Sequence, residues 1–301
     1  GGGAIFIRGG SPQIKNCILT KNRAVRSPGG GYADGGAIDI EGNASPTISH
    51  CTIMSNSATH TGGGIHIYWS YPIIKNCVIR NNHNGGCYGG GGVSYTYLSA
   101  GVLKGNLIVS NTAHYYTIKG GFGAGIECMN SNPDIINNTV AFNSTYLNGD
   151  PSSAGVGGGI RTGGLPYAKV RNNIFWGNLS SNGMEDVSGL MDVNYCDIGS
   201  GLYNPASSNI SADPQFVDAA NGDFTLQATS PCVDMGLNSE APTKDMSDNP
   251  VPLDGDNDGL SVIDMGCYEF VSPAADSDHD KMPDAWEIAH GIKPTSASGT
   301  N

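Results

Sequence analysis

Residues 62–82, GGGIHIYWSYPIIKNCVIRNN, hold one full unit of the pattern that decides the fold. A glycine-rich approach leads into the triplet Ile65-His66-Ile67, whose first and third side chains point to one face and whose second points to the other. A turn carrying Pro72 follows, then a second short strand, IIKNCVI, and the unit ends on Asn82. The unit returns at Ile5, Ile38, Val93, Ile126 and Ile160, each with an Asn 17 or 18 residues on: Asn22, Asn56, Asn111, Asn143 and Asn178. From each Asn to the next unit the spacing varies from 9 to 17 residues. One arc is nearly fixed and all length variation falls in the other, as in a solenoid whose loops leave at one corner. Units with two or three brief strands stack by parallel pairing, which leaves no free edge along the shaft. The expected fold is all-β, a single-stranded parallel β-helix. A β-propeller blade needs about 40–45 residues and four strands, more than these units hold.

Composition narrows the function classes. Glycine supplies 45 of 301 residues and charged residues only 14%, against about 7% and about 25% in ordinary domains. Helical bundles and coiled coils are excluded, and no G-X-Y period allows collagen. No run of about 18 apolar residues is present, so no helical membrane span is expected. The net charge of −12 is unevenly placed: residues 1–211 carry 12 basic and 10 acidic side chains, residues 212–301 carry 3 and 17. That acidity speaks against nucleic acid as a partner and for divalent cations. The division suggests a β-helix body over 1–211, an acidic closing segment over 212–272 and a terminal module over 273–301. The chain opens on Gly1-Gly2-Gly3 with no basic or apolar leader, so any signal peptide is expected to lie outside it.

The repeated "GGAIDI" and "IKNCIL" units resemble the right-handed β-helix proteins of the pectate-lyase-like superfamily. The stretch ADPQFVDAANGDFTLQATSPCVDMG and the later VIDMGCYEF resemble the closing segment of bacterial surface proteins of the choice-of-anchor type. The resemblance implies a right-handed solenoid in a secreted or cell-surface, extracellular setting.

The most specific motif is DSDHDKMPDAWE, residues 276–287. Asp276, Asp278 and Asp280 stand at loop positions 1, 3 and 5, Met282 offers a carbonyl at 7, and Asp284 and Glu287 fall at 9 and 12, the spacing of an EF-hand-like Ca²⁺ loop. Lys281 stands where glycine usually makes the sharp turn. The segment resembles a thrombospondin type 3 or dockerin-like calcium repeat, with a short helix expected from Pro283 to Gly291. A second cluster, Asp254, Asp256 and Asp258, has the opening spacing but Met265 at position 12, so Asp264 or Glu269 would have to close it. Cys17, Cys51 and Cys77 share a column that Asn106, Asn138 and Asn173 continue, and read as a stack of small residues rather than a zinc site. Cys232 and Cys267 are candidates for a disulfide.

Catalysis would need side chains on the outward column of the first strand, which reads Phe6, Asp39, His66, Ser94, Glu127, Arg161. Asp39, Glu41, His66, Glu127 and Arg161 are the candidates, with Asp39–His66 and Glu127–Arg161 as neighbours one coil apart, about 4.8 Å. Asp39 and Glu127 would sit about 14 Å apart, too far for a glycosidase carboxylate pair, which needs about 5–9.5 Å. No complete polygalacturonase or lyase residue set is present, and the simplest expectation is a solvated face of alternating charge. Trp69, Tyr71, Tyr88, Tyr115 and Tyr116 are placed to stack on sugar rings. The leading expectation is a non-catalytic extracellular β-solenoid, a stalk, adhesin or head-to-tail filament subunit stabilised by calcium. A polysaccharide lyase or glycosidase, or a polysaccharide-binding β-helix, is the alternative.

Overall fold

A computed structural model describes residues 1–26, 31–86, 89–113, 122–145, 155–180, 183–201 and 207–296. Three seven-stranded parallel sheets run the length of the body. The first is built from Ile5–Arg8, Ile38–Glu41, Ile65–Tyr68, Val93–Thr96, Ile126–Met129, Ile160–Gly163 and Val187–Ser188. The pairing is in register from coil to coil, Ile5 on Ile38 on Ile65 on Val93 on Ile126 on Ile160. The second sheet runs from Gln13–Lys15 to Asp192–Asn194 and the third from Ile18–Thr20 to Asp197–Ile198. A seventh coil, starting at Val187, continues the six read from sequence.

The corners explain the short strands. Asn16, His50, Asn76, Gly105, Asn137, Asn172 and Tyr195 form one column, and all have φ between 49° and 63°. A left-handed residue turns the chain sharply between the second and third sheets, and Asn tolerates it better than most residues. The next residue at each of these corners points inward.

Inside, aliphatic side chains stack by type. Ile38, Ile40, Ile48 and Ile53 lie under Ile65, Ile67, Ile74 and Ile79, and all are fully buried. The recurrent Asn residues form a buried amide ladder. Asn82 Nδ2 donates to Asn111 Oδ1 at 3.0 Å, Asn111 Nδ2 to Asn143 Oδ1 at 3.0 Å, and Asn143 Nδ2 to Asn178 Oδ1 at 2.9 Å. Each amide also donates to a main-chain carbonyl of the preceding coil. The ladder ends on Asp186, whose Oδ1 accepts both the backbone N–H and the amide of Asn178. A parallel column mixes thiols with amides: Cys51 N–H points to Cys77 Sγ at 3.4 Å, and Cys77 N–H to Asn106 Oδ1 at 2.9 Å.

The acidic segment lies along the flank, over the corner between the second and third sheets. A hairpin, Phe216–Asp218 with Asp223–Leu226, sets Phe224 against Leu107, Val109 and Ala141. Leu226, Cys232, Val233 and Met265 cover Ile174. The expected Cys232–Cys267 disulfide does not form: the thiols sit in separate clusters, and Cys232 Sγ donates to Asp197 Oδ2 at 3.4 Å. The segment folds by directing main-chain N–H groups onto buried carboxylates. Asp245 accepts from Ser247, Asn249 and Glu269, Asp264 from Asp234 and Phe270, and Glu269 from Leu253 and Asp264. No helix in the described residues is long and apolar enough to cross a membrane.

Candidate functional site

Between its ends at Phe6 and Arg161 the outward column of the first sheet is not solvated, which corrects the expectation from sequence. Asp39, His66, Ser94 and Glu127 are all buried. The glycines before each strand are the reason. Gly62 has φ 67°, and a Cβ there would stand 2.6 Å from the Ile65 carbonyl and 2.8 Å from His66 Cβ. Only glycine lets the incoming turn fold back over its own strand this closely.

Beneath these turns the predicted neighbours meet. Asp39 Oδ1 lies 2.8 Å from His66 Nδ1, and His66 Nε2 lies 2.9 Å from Thr96 Oγ1. The Thr96 hydroxyl donates to the Ile67 carbonyl at 3.1 Å. Arg161 donates to Glu127 Oε1 at 2.7 Å and lays its guanidinium 4.2 Å from the Phe122 ring centre. Burial pushes the Glu127 carboxyl up to about 7 against the pull of Arg161. Asp39–His66 and Glu127–Arg161 are therefore two separate buried pairs, and in each the second carboxylate oxygen, Asp39 Oδ2 or Glu127 Oε2, has no hydrogen-bond partner among the described residues. Glu41 stands apart, half-buried, its pKa raised by burial and by Asp39.

Glu41 instead lines an open cleft of about 520 Å³ with Arg8, Tyr68, Trp69, Tyr97 and Leu98. The Tyr68 and Tyr97 rings stack at 5.2 Å with 7° between their planes. Trp69, Tyr97 and Leu98 have φ of 46°, 54° and 57°, the left-handed geometry that turns the chain at the coil corners and directs these side chains outward. Trp69 is a stacking candidate from sequence, and Arg8, Glu41 and Tyr68 share one outward column in register; Tyr97 and Leu98 carry no such mark, because they sit at a corner just past the strand. Tyr71 is exposed but outside this cleft. Tyr88, Tyr115 and Tyr116 lie outside the described residues.

At the C-terminal end, Asp276, Asp278 and Asp280 bring one carboxylate oxygen each within 4.8 Å of the others. The loop holds itself by carboxylate bonds to its own backbone, Asp276 accepting from Asp280 and Lys281 and Asp280 from Met282. Lys281 adopts φ 77° at the position where glycine is usual. The helix Asp284–Ala289 then presents Glu287. Glu287 is fully buried, neither carboxylate oxygen has a hydrogen-bond partner among the described residues, and burial together with Asp278 and Asp280 pushes its pKa up to about 7. Asp284 turns elsewhere: its two oxygens accept from the backbone and hydroxyl of Ser277 at 2.8 and 2.6 Å.

The second acidic cluster is composed differently from the sequence reading. Asp254 and Asp256 converge with Asp234, while Asp258 is not one of the three and accepts from Leu260 N–H. Asp264 and Glu269 do not close it, since both are engaged by main-chain N–H groups. Asp234 lies twenty residues upstream, so no local spacing could have revealed it.

No curated protein and no solved structure matches the chain. Residues 1–122 match the family model described as a right handed beta helix region, a span that takes in the first four strands of the first sheet. With seven strands stacked in parallel register, the body is a parallel β-helix, consistent with the right-handed class of that family.

Proposed function

We propose that the protein is a non-catalytic, extracellular β-helix scaffold whose C-terminal loop, residues 276–287, binds Ca²⁺. The observation that carries this reading is Glu287: a fully buried carboxylate with both oxygens free of partners, facing three convergent aspartates. The three convergent aspartates repel one another and Glu287 beside them, and a divalent ion removes that repulsion while using the free oxygens. Asp276, Asp278, Asp280 and Glu287 would hold the ion, with the Met282 carbonyl; Asp284 would support the loop through Ser277. The non-catalytic part is supported by the burial and pairing of Asp39, His66, Glu127 and Arg161. Calcium titration of chelator-stripped protein, read by calorimetry and by Tb³⁺ luminescence sensitised through Trp286, tests the site. Saturable binding weakened at least tenfold by Glu287→Gln is expected; an unchanged isotherm in that variant overturns it.

A second reading rests on the Tyr68–Tyr97 stack, an exposed aromatic shelf flanked by Arg8 and Glu41 that suits a sugar ring. Glycan-array binding abolished by Tyr97→Ala, without product formation, supports a carbohydrate-binding role. Release of unsaturated or reducing ends from uronate polymers would instead establish an enzyme.

A further inference from the structure

The outer face of the second sheet carries lysines in adjacent coils. Lys75 and Lys104 are direct register partners across neighbouring strands. Like charges at such positions destabilise a sheet unless something compensates them. Where the acidic segment crosses this face it encloses a pocket of about 330 Å³. Lys75, Lys104 and His50 line it from the shaft, and Thr243, Lys244 and Asp248 from the segment. The placement of Lys244 is notable because residues 212–301 contain only 3 basic side chains among 17 acidic ones, and one of the three faces this pocket.

The nearby acids offset this charge only in part: Glu240 and Asp134 act on Lys104 at a distance, and neither forms an ion pair with it. Glu240 makes its ion pair with Lys169, and Lys104 Nζ reaches only the Glu240 main-chain carbonyl, at 3.1 Å. Asp248 approaches His50 Nε2 at 3.7 Å, and His50 Nδ1 is buried with no hydrogen-bond partner. Lys75 and Lys244 make no ion pair among the described residues. Among the side chains that line the pocket, three ammonium groups face one carboxylate, with Glu240 and Asp134 acting on Lys104 from beside it, in a protein of net charge −12.

We propose that this pocket binds a compact dianionic oxyanion, sulfate or a phosphate group, free or carried as a monoester on a sugar. Ammonium groups supplied by the shaft and by the acidic segment suit a tetrahedral anion, which can accept from several directions at once, better than the planar fork an Arg would offer to a carboxylate. The ion would bond the shaft to the acidic segment, so its binding stabilises that contact. The site is separate from the calcium loop and from the aromatic cleft, and does not depend on either reading.

Calorimetry and thermal unfolding of the whole chain with sodium sulfate and with glucose 6-phosphate test the proposal, against sodium chloride at matched ionic strength and glucose. Saturable binding of sulfate or of the sugar phosphate is expected, with a rise in Tm that chloride does not reproduce. Lys75→Ala and Lys244→Ala, both of exposed side chains, should each raise Kd at least tenfold, while Lys21→Ala leaves it unchanged. Tighter binding of the ester than of sulfate marks a sugar-borne group; equal or weaker binding marks a free-ion site. Equal effects of sulfate and chloride, or undiminished binding in the Lys75→Ala/Lys244→Ala double variant, overturn the proposal.

Discussion

Replacing Asn111 with alanine removes one rung from the middle of the buried amide ladder. The Asn111 carboxamide oxygen accepts the Asn82 backbone N–H and the Asn82 amide, both at 3.0 Å. Its amide donates to the Ile79 carbonyl at 2.9 Å and to Asn143 Oδ1 at 3.0 Å. In the variant the Asn82 N–H is left without its acceptor in a fully buried site, which costs about 1–3 kcal/mol. The other three bonds contribute about 0.5–1.5 kcal/mol each, because their partners keep a second contact: Asn82 Nδ2 retains the Ile53 carbonyl, and Asn143 Oδ1 retains the Asn111 N–H. The expected loss is roughly 2.5–7.5 kcal/mol, a large part of the roughly 5–15 kcal/mol that holds a typical domain. Urea unfolding followed by far-ultraviolet circular dichroism measures it. Asn22→Ala is the control, since Asn22 sits in the first coil, half-exposed, and only donates, to Asn56 Oδ1. Its loss should stay below about 1.5 kcal/mol, one net hydrogen bond. If the two variants lose equal stability, the internal ladder is not a stabilising element and the reasoning fails.

Gly62→Ala should cost at least about 2 kcal/mol, because φ 67° disfavours a Cβ and the new atom would stand 2.6 Å from a carbonyl oxygen. Gly10→Ala, at φ 77° but with open space around it, should cost only about 1 kcal/mol, so matched urea midpoints separate crowding from backbone preference. Asp197 is buried, accepts from Ala212 N–H and the Cys232 thiol, and burial pushes its pKa up to about 7. The folded state then holds this proton more tightly than the unfolded chain, whose aspartate titrates near about 3.9. The stability contributed is complete at low pH and is lost as pH rises from about 4 through about 7, roughly 2–4 kcal/mol in all. Asp197→Asn should flatten that decline in unfolding measurements at pH 5, 6, 7 and 8; an unchanged slope would sink the assignment.

The repeat was legible because its causes are local. Each coil needs a glycine turn, an alternating strand, a left-handed corner and an inward Asn, and all four leave marks in the sequence at nearly fixed spacing. The seventh coil escaped because those marks are missing: NGMEDV replaces the glycine approach before Val187, and Asp186 takes the place of an Asn. The pairing of Asp39 with His66 and of Glu127 with Arg161 also followed from register alone. Their burial did not, since alternation says which way a side chain points but not what lies over it. The same limit hid Asp234 from the Asp254–Asp256 cluster and joined Lys244 to Lys75 without any local signal. Contacts made by the acidic segment depend on where it crosses the shaft, and no period records that path.

One feature of the shaft nonetheless settles much of that path. At each corner between the second and third sheets two residues act in opposite directions: Asn76-Cys77, Asn137-Asn138 and Asn172-Asn173 each pair an outward left-handed residue with an inward ladder member. The outward amides catch the acidic segment. Asn76 donates to the Asp245 carbonyl at 3.2 Å, Asn137 to the Asp264 and Gly266 carbonyls at 3.0 and 3.2 Å, and Asn172 to the Leu237 carbonyl at 3.1 Å. Asn172 Oδ1 in turn accepts the Leu237 N–H at 2.8 Å. At Gly105 the column has no side chain to offer, and at His50 it offers an imidazole that faces the cationic pocket instead. Because a left-handed corner fixes the backbone and leaves the side chain directed outward, the residue chosen there sets what the flank meets: Asn76 both binds the Asp245 carbonyl and lines the cationic pocket beside His50. The same geometry that lets a coil turn therefore also sets where the segment docks and where the oxyanion pocket is left between them.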